Sequence, residues 1–246
     1  HATLVGYWTF DEGTGAIAYD SSGYGNTGTI TGATWVQGKF GGALSFEGDG
    51  SYVNVANSTS INLSTWTVSF WASLYDVTRT QVLLDKRNGQ WDRNYEFVFY
   101  YNEPPSPDET GDYLSANIGD GSFLPSNYAN AAYGPVTLTA NQFYYFAATY
   151  DQAFLKLYLD GTLIGSKQIS MQNITGDGDL HIGAHGYTSM SPTYGIIDEV
   201  RIYDFALSQS EIVRDMGAPV PAPATMLLLG SGLVGLAWLR RKFKNR

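Results

Sequence analysis

The stretch that most narrows the possible folds is Trp66–Leu74, where two sets of side chains alternate without a break. Trp66, Val68, Phe70 and Ala72 fall on one side of an extended chain, and Thr67, Ser69, Trp71 and Ser73 on the other. A period of two belongs to a β-strand, because successive Cβ atoms point to opposite faces of a sheet. Shorter runs of the same kind are expected before it at 4–10, 16–19, 29–30, 34–36, 43–46 and Tyr52–Val55. They are expected after it at 81–85, 95–101, 113–118, Phe143–Tyr150, Phe154–Leu159, 162–166, 180–183 and 195–203. Asp160-Gly161 between two alternating runs is a strong two-residue hairpin signal. The 103–111 segment, with Pro104, Pro105 and Pro107, is predicted to be an exposed loop, since proline has no N–H for a sheet ladder. Ser208 and Glu211 have capping-box spacing and open a short helix that runs to about Met216. More than ten short strands with one terminal helix predict an all-β, two-sheet antiparallel sandwich.

Composition agrees and excludes several partners. Aromatic residues make up 15 % of the chain and glycines number 28, a balance suited to short strands and tight turns. Residues 1–217 are enough for one large β domain with a real core. All 23 acidic residues but only nine of the 14 basic ones precede the tail, which gives that domain a formal charge of −14. Nucleic acids and anionic lipids are held by basic surfaces, so neither is an expected partner. There is no cysteine, hence no disulfide framework and no thiolate metal site. The chain begins at His1-Ala2 without an initiator Met or an apolar leader, as a mature or trimmed form would.

The last stretch has three parts. Residues 218–223 are a proline-rich spacer containing Val220, Pro221, Ala222 and Pro223. Residues 224–246 form a single hydrophobic helix with a basic end: Met226, Leu227, Leu228, Leu229, Leu233 and Leu236 lead to Trp238, Arg240 and Arg241. The apolar run is shorter than the ~20 residues of a full crossing, and Trp238 and the arginines can snorkel to complete it. Basic residues after an apolar run predict a cytoplasmic C-terminus, which places the domain on the outer side.

Several motifs carry a resemblance to known families. The tail resembles a PEP-CTERM sorting signal, found on exported proteins of Gram-negative bacteria that make extracellular polysaccharide. The resemblance implies a membrane tether and an exosortase-like processing enzyme as partner. The usual Val-Pro-Glu-Pro reads Val220-Pro221-Ala222-Pro223 here, which leaves cleavage of the tail open. The domain resembles the laminin-G-like, concanavalin-A-like jelly rolls through five motifs in this order. They are Tyr7-Trp8-Thr9-Phe10-Asp11-Glu12-Gly13-Thr14-Gly15, Asp20-Ser21-Ser22-Gly23-Tyr24-Gly25-Asn26-Thr27-Gly28, Lys39-Phe40-Gly41-Gly42-Ala43-Leu44-Ser45-Phe46, Leu157-Tyr158-Leu159-Asp160-Gly161 and Ile197-Asp198-Glu199-Val200-Arg201-Ile202-Tyr203 with Ala206-Leu207-Ser208. These motifs identify a fold, and kin of that fold bind glycans, proteins or cations, or are enzymes.

Three kinds of site follow. Asp198 alternates with Ile196, Val200 and Ile202, so it is expected on the apolar side, where a carboxylate needs a cation or amides to meet it. A structural calcium held by Asp11, Asp20, Asn26, Gly28 and Asp198 fits the oxygen-rich loops, and the family resemblance implies such an ion. The alternative is an Asx turn at Asp20 and amide hydrogen bonds at Asp198 without an ion. A glycan surface is the second expectation, with Trp91 in a rim of Asn88 and Arg93, and with Tyr101 and Tyr187 nearby. Tyr100, Tyr113 and Tyr133 are further aromatic candidates, though β-sandwiches also use such residues as cross-strand pairs. The third is catalysis, but the strand-borne Glu-x-Asp-x-x-Glu pattern of concanavalin-like glycosidases is absent from the sequence. His181 and His185 lack an evident third metal ligand and read as surface residues. The expected function is therefore a non-catalytic, surface- or matrix-associated protein that binds extracellular polysaccharide. The alternatives are a structural component that binds a surface protein, and a glycan-active enzyme.

Overall fold

The alternating runs assemble into two antiparallel sheets packed face to face. This computed structural model describes residues 2–48, 50–88, 93–103, 110–119, 130–169, 177–186 and 191–217. In chain order the strands are β1 (Leu4–Trp8), β2 (Ile17–Ala18), β3 (Gly28–Thr31), β4 (Thr34–Gln37), β5 (Gly42–Glu47), β6 (Tyr52–Val55), β7 (Trp66–Leu74) and β8 (Gln81–Arg87). They continue as β9 (Arg93–Tyr100), β10 (Asp112–Asn117), β11 (Ala131–Val136), β12 (Phe143–Tyr150), β13 (Phe154–Leu159), β14 (Thr162–Gln168), β15 (Leu180–Ile182) and β16 (Tyr194–Tyr203), then helix α1 (Gln209–Met216). The first sheet has the order β14-β13-β12-β7-β16-β5-β4, with β1 also paired to β16. The second has the order β11-β10-β9-β8-β15-β6-β3-β2. The result is a jelly-roll sandwich: the strand pattern predicts its two sheets, and the family resemblance implies the jelly roll.

β7 lies at the centre of the first sheet, and its two faces part as the alternation requires. Trp66, Val68, Phe70 and Ala72 enter the core between the sheets, while Trp71 packs on the outer face. Phe70 stacks on Phe146 at 5.3 Å and meets Phe97 of the opposite sheet edge-on at 5.1 Å. Trp66 touches Tyr95 and Tyr150 in the same way. Each fully buried side chain of this size contributes about 1.5–3 kcal/mol. Together they hold the two layers in register.

The outer face of the first sheet is closed by α1. The capping box forms as predicted: Ser208 accepts from the Glu211 amide, and the Glu211 side chain accepts from the Ser208 amide. Leu207 and Ile212 pack on Trp71, Tyr145 and Tyr158. Asp215 then accepts hydrogen bonds from Ser69 Oγ (2.9 Å), Tyr145 OH (2.6 Å) and Tyr203 OH (2.6 Å), and pairs with Arg201 at 3.2 Å. Arg201, itself fully buried, also pairs with Glu199.

Two features depart from expectation. β11 is a strand that the sequence did not announce, because Gly134 and Pro135 interrupt it. It is the outermost strand of its sheet, where a missing N–H is tolerated. There it meets the edge strand β14 so closely that a Cβ on Gly165 would stand 2.5 Å from the Tyr133 carbonyl oxygen. The second departure corrects the placement of Asp198. A bulge between Asp198 and Arg201, with Glu199 at φ 56°, resets the alternation of β16. Ile197, Val200 and Ile202 face the core, and Asp198 is buried on the opposite side, across from Trp71. The bulge falls where β5 stops pairing with β16 and β1 begins.

The sorting residues Val220, Pro221, Ala222 and Pro223 and the anchor from Met226 to Arg241 lie outside the described residues. Among the described residues no helix is long and apolar enough to cross a membrane.

Candidate functional site

With α1 over one side of the sandwich, the outer face of the second sheet is the natural place to look for a ligand surface. Ladder pairing sets Asn54 opposite His181, His181 opposite Asp85, Asp85 opposite Glu96 and Glu96 opposite Asn117. Directly opposed residues share a face, so these five form one polar row across β6, β15, β8, β9 and β10. Their strand neighbours Leu84 and Phe97 point the other way, into the core.

The row is cross-linked by Arg87. Its guanidinium pairs with Asp85 Oδ2 at 2.5 Å and with Glu96. Glu96 also accepts from Asn117 Nδ2 at 3.0 Å, and Asn117 accepts from the Ser115 hydroxyl at 2.9 Å. The Gly186 amide donates to Asp85 Oδ2 at 2.8 Å. All four of Asp85, Arg87, Glu96 and Asn117 are buried. Burial raises the Asp85 carboxyl above the usual range, the Glu96 charge adds to that, and Arg87 opposes it. Burial also lowers the His181 imidazole, which favours its neutral form.

Aromatic rings flank the row. Tyr113 lies opposite Tyr100 and Ser115 opposite Tyr133, and the Tyr113 and Tyr133 rings meet edge-on at 6.4 Å. On the other flank Tyr52 tilts against His181 at 5.7 Å. Three of the tyrosines named from sequence thus share one surface with charged and amide groups.

Of the five residues expected to bind glycan, Asn88 and Tyr101 lie apart. Asn88 is exposed just beyond β8 and hydrogen-bonds Asp177. Tyr101, 40 % exposed, follows the far end of β9. At ~3.4 Å per residue the length of β9 separates them by about 24 Å. Arg93 opens β9 opposite Arg87. Trp91 and Tyr187 lie outside the described residues.

The expected calcium ligands sort into two groups. Asp20 is nearly buried, with the amides of Tyr7 and Ser22 on Oδ1 and that of Asn26 on Oδ2. Asn26 in turn donates to Val5 O and accepts from Ser60, and Gly28 is the first residue of β3. Asp11 and Asp198 instead share the turn that leads into β5. Gly42 N donates to Asp11 Oδ1 at 2.7 Å and Phe40 N to Asp198 Oδ2 at 3.0 Å. Asp198 Oδ1 is buried without a hydrogen-bond partner among the described residues. Burial pushes this carboxyl up to about 7, with the Phe40 amide opposing and the Glu199 charge adding.

Sequence reasoning missed the Asp85–Glu96 row altogether. The histidines without an evident third ligand in the sequence have carboxylates beside them, contributed by two other strands. A signal existed: Glu96, Ser115 and Asn117 are polar residues set at alternate positions between apolar ones.

Comparison with known proteins places this geometry. The model for the concanavalin A-like lectin/glucanase superfamily matches residues 47–213. The PEP-CTERM protein-sorting motif matches residues 219–242 and marks the chain as one exported to the cell envelope. A search of curated proteins found no match. Among solved structures, domain 4 of AbnA, an extracellular arabinanase from Geobacillus stearothermophilus determined with arabinotriose, is similar at TM-score 0.65 and 22 % identity, over 87 % of this chain and 98 % of that one. The binding domain of Paraclostridial Mosquitocidal Protein 1 is similar at TM-score 0.65 and 18 % identity, over 86 % of this chain and 51 % of that one. A Trypanosoma rangeli sialidase is similar at TM-score 0.60 and 16 % identity, over 86 % of this chain and 32 % of that one. At these identities the likeness is one of fold.

Proposed function

Because the chain belongs to the concanavalin A-like lectin/glucanase superfamily, we propose that it is a non-catalytic binding protein of the cell envelope that recognises extracellular polysaccharide. The observation that carries this is the joining of Tyr100, Tyr113 and Tyr133 to the Asp85–Asn117 row on one face. Sugar rings stack their C–H faces on aromatics, and the half-buried Tyr100 and Tyr133 offer such rings beside the buried row. The arabinotriose complex of the AbnA domain lends the reading support from a similar fold.

The same face argues for neutral sugars. Arg87 is already neutralised by two carboxylates, so it offers no cation to a uronate or sulfate. The domain's formal −14 repels such groups further. Catalysis is disfavoured on similar grounds. A glycosidase pair needs one carboxyl as acid and one as nucleophile or base, whereas Asp85 and Glu96 share a single guanidinium.

Calcium belongs to this proposal at Asp11 and Asp198, supported by the orphaned Asp198 Oδ1. Asp20 and Asn26 are occupied by backbone amides and carbonyls and would act from outside such a site. When bound, the ion would supply charge balance to a buried carboxylate. The tail would tether the protein in the inner membrane until an exosortase-like enzyme acts on it.

Binding of the full chain, held in detergent, to a panel of neutral and acidic polysaccharides tests the reading. Saturable binding to a neutral polymer is expected, insensitive to salt and weakened at least about tenfold by Tyr133→Ala. Silence across the panel together with capture of one surface protein would replace it with the protein-binding alternative.

A further inference from the structure

The polar row holds a cluster that sugar recognition leaves unused. Asp85, Glu96 and His185 each bring one ligand atom to within 4.8 Å of the other two. His185 Nδ1 stands 3.9 Å from Asp85 Oδ2. Asp85 is fully buried, and its Oδ1 has no hydrogen-bond partner among the described residues. Its other oxygen, Oδ2, meets Arg87, Gly186 and His185. A buried carboxylate oxygen with nothing to accept from is costly unless a cation meets it.

A second observation points the same way. His181 Nδ1 is also buried without a partner among the described residues. A Cβ on Gly186 would come within 2.8 Å of that nitrogen and 3.5 Å of Asp85 Oδ2. Glycine therefore keeps open a space bordered by a carboxylate and an imidazole. Two carboxylates against one guanidinium also leave the cluster formally anionic.

We propose that Asp85, Glu96 and His185 bind one divalent transition-metal ion of the zinc and manganese class. One imidazole nitrogen and two carboxylate oxygens suit these ions, whereas calcium and magnesium favour oxygen alone. Three protein ligands leave a further position for water or a ligand atom. Arg87 stays outside the coordination shell and orients both carboxylates, as outer partners of metal ligands commonly do. The site is separate from the Asp11–Asp198 turn and does not depend on any sugar being bound.

The test is metal uptake by the full chain in detergent, stripped with EDTA and dialysed against micromolar zinc, with metal content measured by mass spectrometry. One zinc per chain is expected, undisturbed by millimolar calcium and retained in Asp198→Asn. His185→Gln and Asp85→Asn should each weaken uptake by at least about tenfold. Cobalt in place of zinc should give visible d–d absorption that His185→Gln abolishes. Should Asp85→Asn not fold, His185→Gln still decides, because the His185 side chain is at the rim and 14 % exposed. No saturable zinc uptake, or uptake unchanged in His185→Gln, would overturn the proposal.

Discussion

Replacing Asp198 by Asn should stabilise the protein at pH 8 and do nearly nothing at pH 4. The Asp198 carboxyl ordinarily titrates near 3.8 and is held at about 7 in the fold, chiefly by burial. Its folded form therefore binds the proton more tightly than the unfolded chain does. The contribution of Asp198 to stability is greatest below pH 3.8, falls as the pH climbs towards 7, and is lowest above that. The full difference is about 4 kcal/mol, at ~1.36 kcal/mol for each tenfold change in proton affinity. Asparagine keeps the shape, removes the charge and still accepts from Phe40 N, though more weakly by about 1 kcal/mol. The net gain at pH 8 is about 3 kcal/mol, or roughly 6–12 °C in Tm for a domain of this size. Thermal unfolding of the full chain in EDTA, followed by near-ultraviolet circular dichroism at both pH values, measures it. Calcium added at pH 8 should raise wild type and leave Asp198→Asn unmoved, because a bound cation does the work of the missing proton. A variant less stable than wild type at pH 8 in EDTA would refute the reasoning, since the carboxylate would then be satisfied as it stands.

Two further outcomes follow from packing. Asp215→Ala strips one acceptor each from buried Ser69, buried Tyr145 and half-buried Tyr203 and leaves Arg201 with Glu199 as its remaining carboxylate, so it should cost about 3–5 kcal/mol in urea unfolding. Gly165→Ala forces a methyl against the Tyr133 carbonyl and should cost about 1–3 kcal/mol by the same measurement.

Elements whose signals are local are legible in the amino-acid sequence by itself. The alternation of Trp66–Leu74 assigns its two faces because a period of two sends neighbouring side chains to opposite sides, whereas the burial of the outer face is added by α1. Asp160-Gly161 makes its hairpin, with both residues at positive φ, and Ser208 makes its cap. The Asp198 assignment failed because a bulge carries no mark in the alternation. It coincides with the point where β5 gives way to β1 along one edge of β16, a fact about strands far apart in the chain. β11 was missed for the opposite reason: Pro135 and Gly134 argue against a strand except at an edge, and edge position is set by the whole sheet.

The candidate site shows the same division most sharply. Asp85, Glu96, Asn117 and His181 come from four strands, and no local pattern around any one of them announces the other three. Register alone makes them a row. Arg87 then converts two carboxylates that would repel each other into a buried, near-neutral floor, and that floor fixes what the face can accept. A free guanidinium would have favoured acidic polymers; a neutralised one beside tyrosines favours hydroxyl-rich, uncharged ones. The residual negative charge and the orphaned Asp85 oxygen are a demand that the row does not meet from its own described side chains, and a cation is the partner of the right sign.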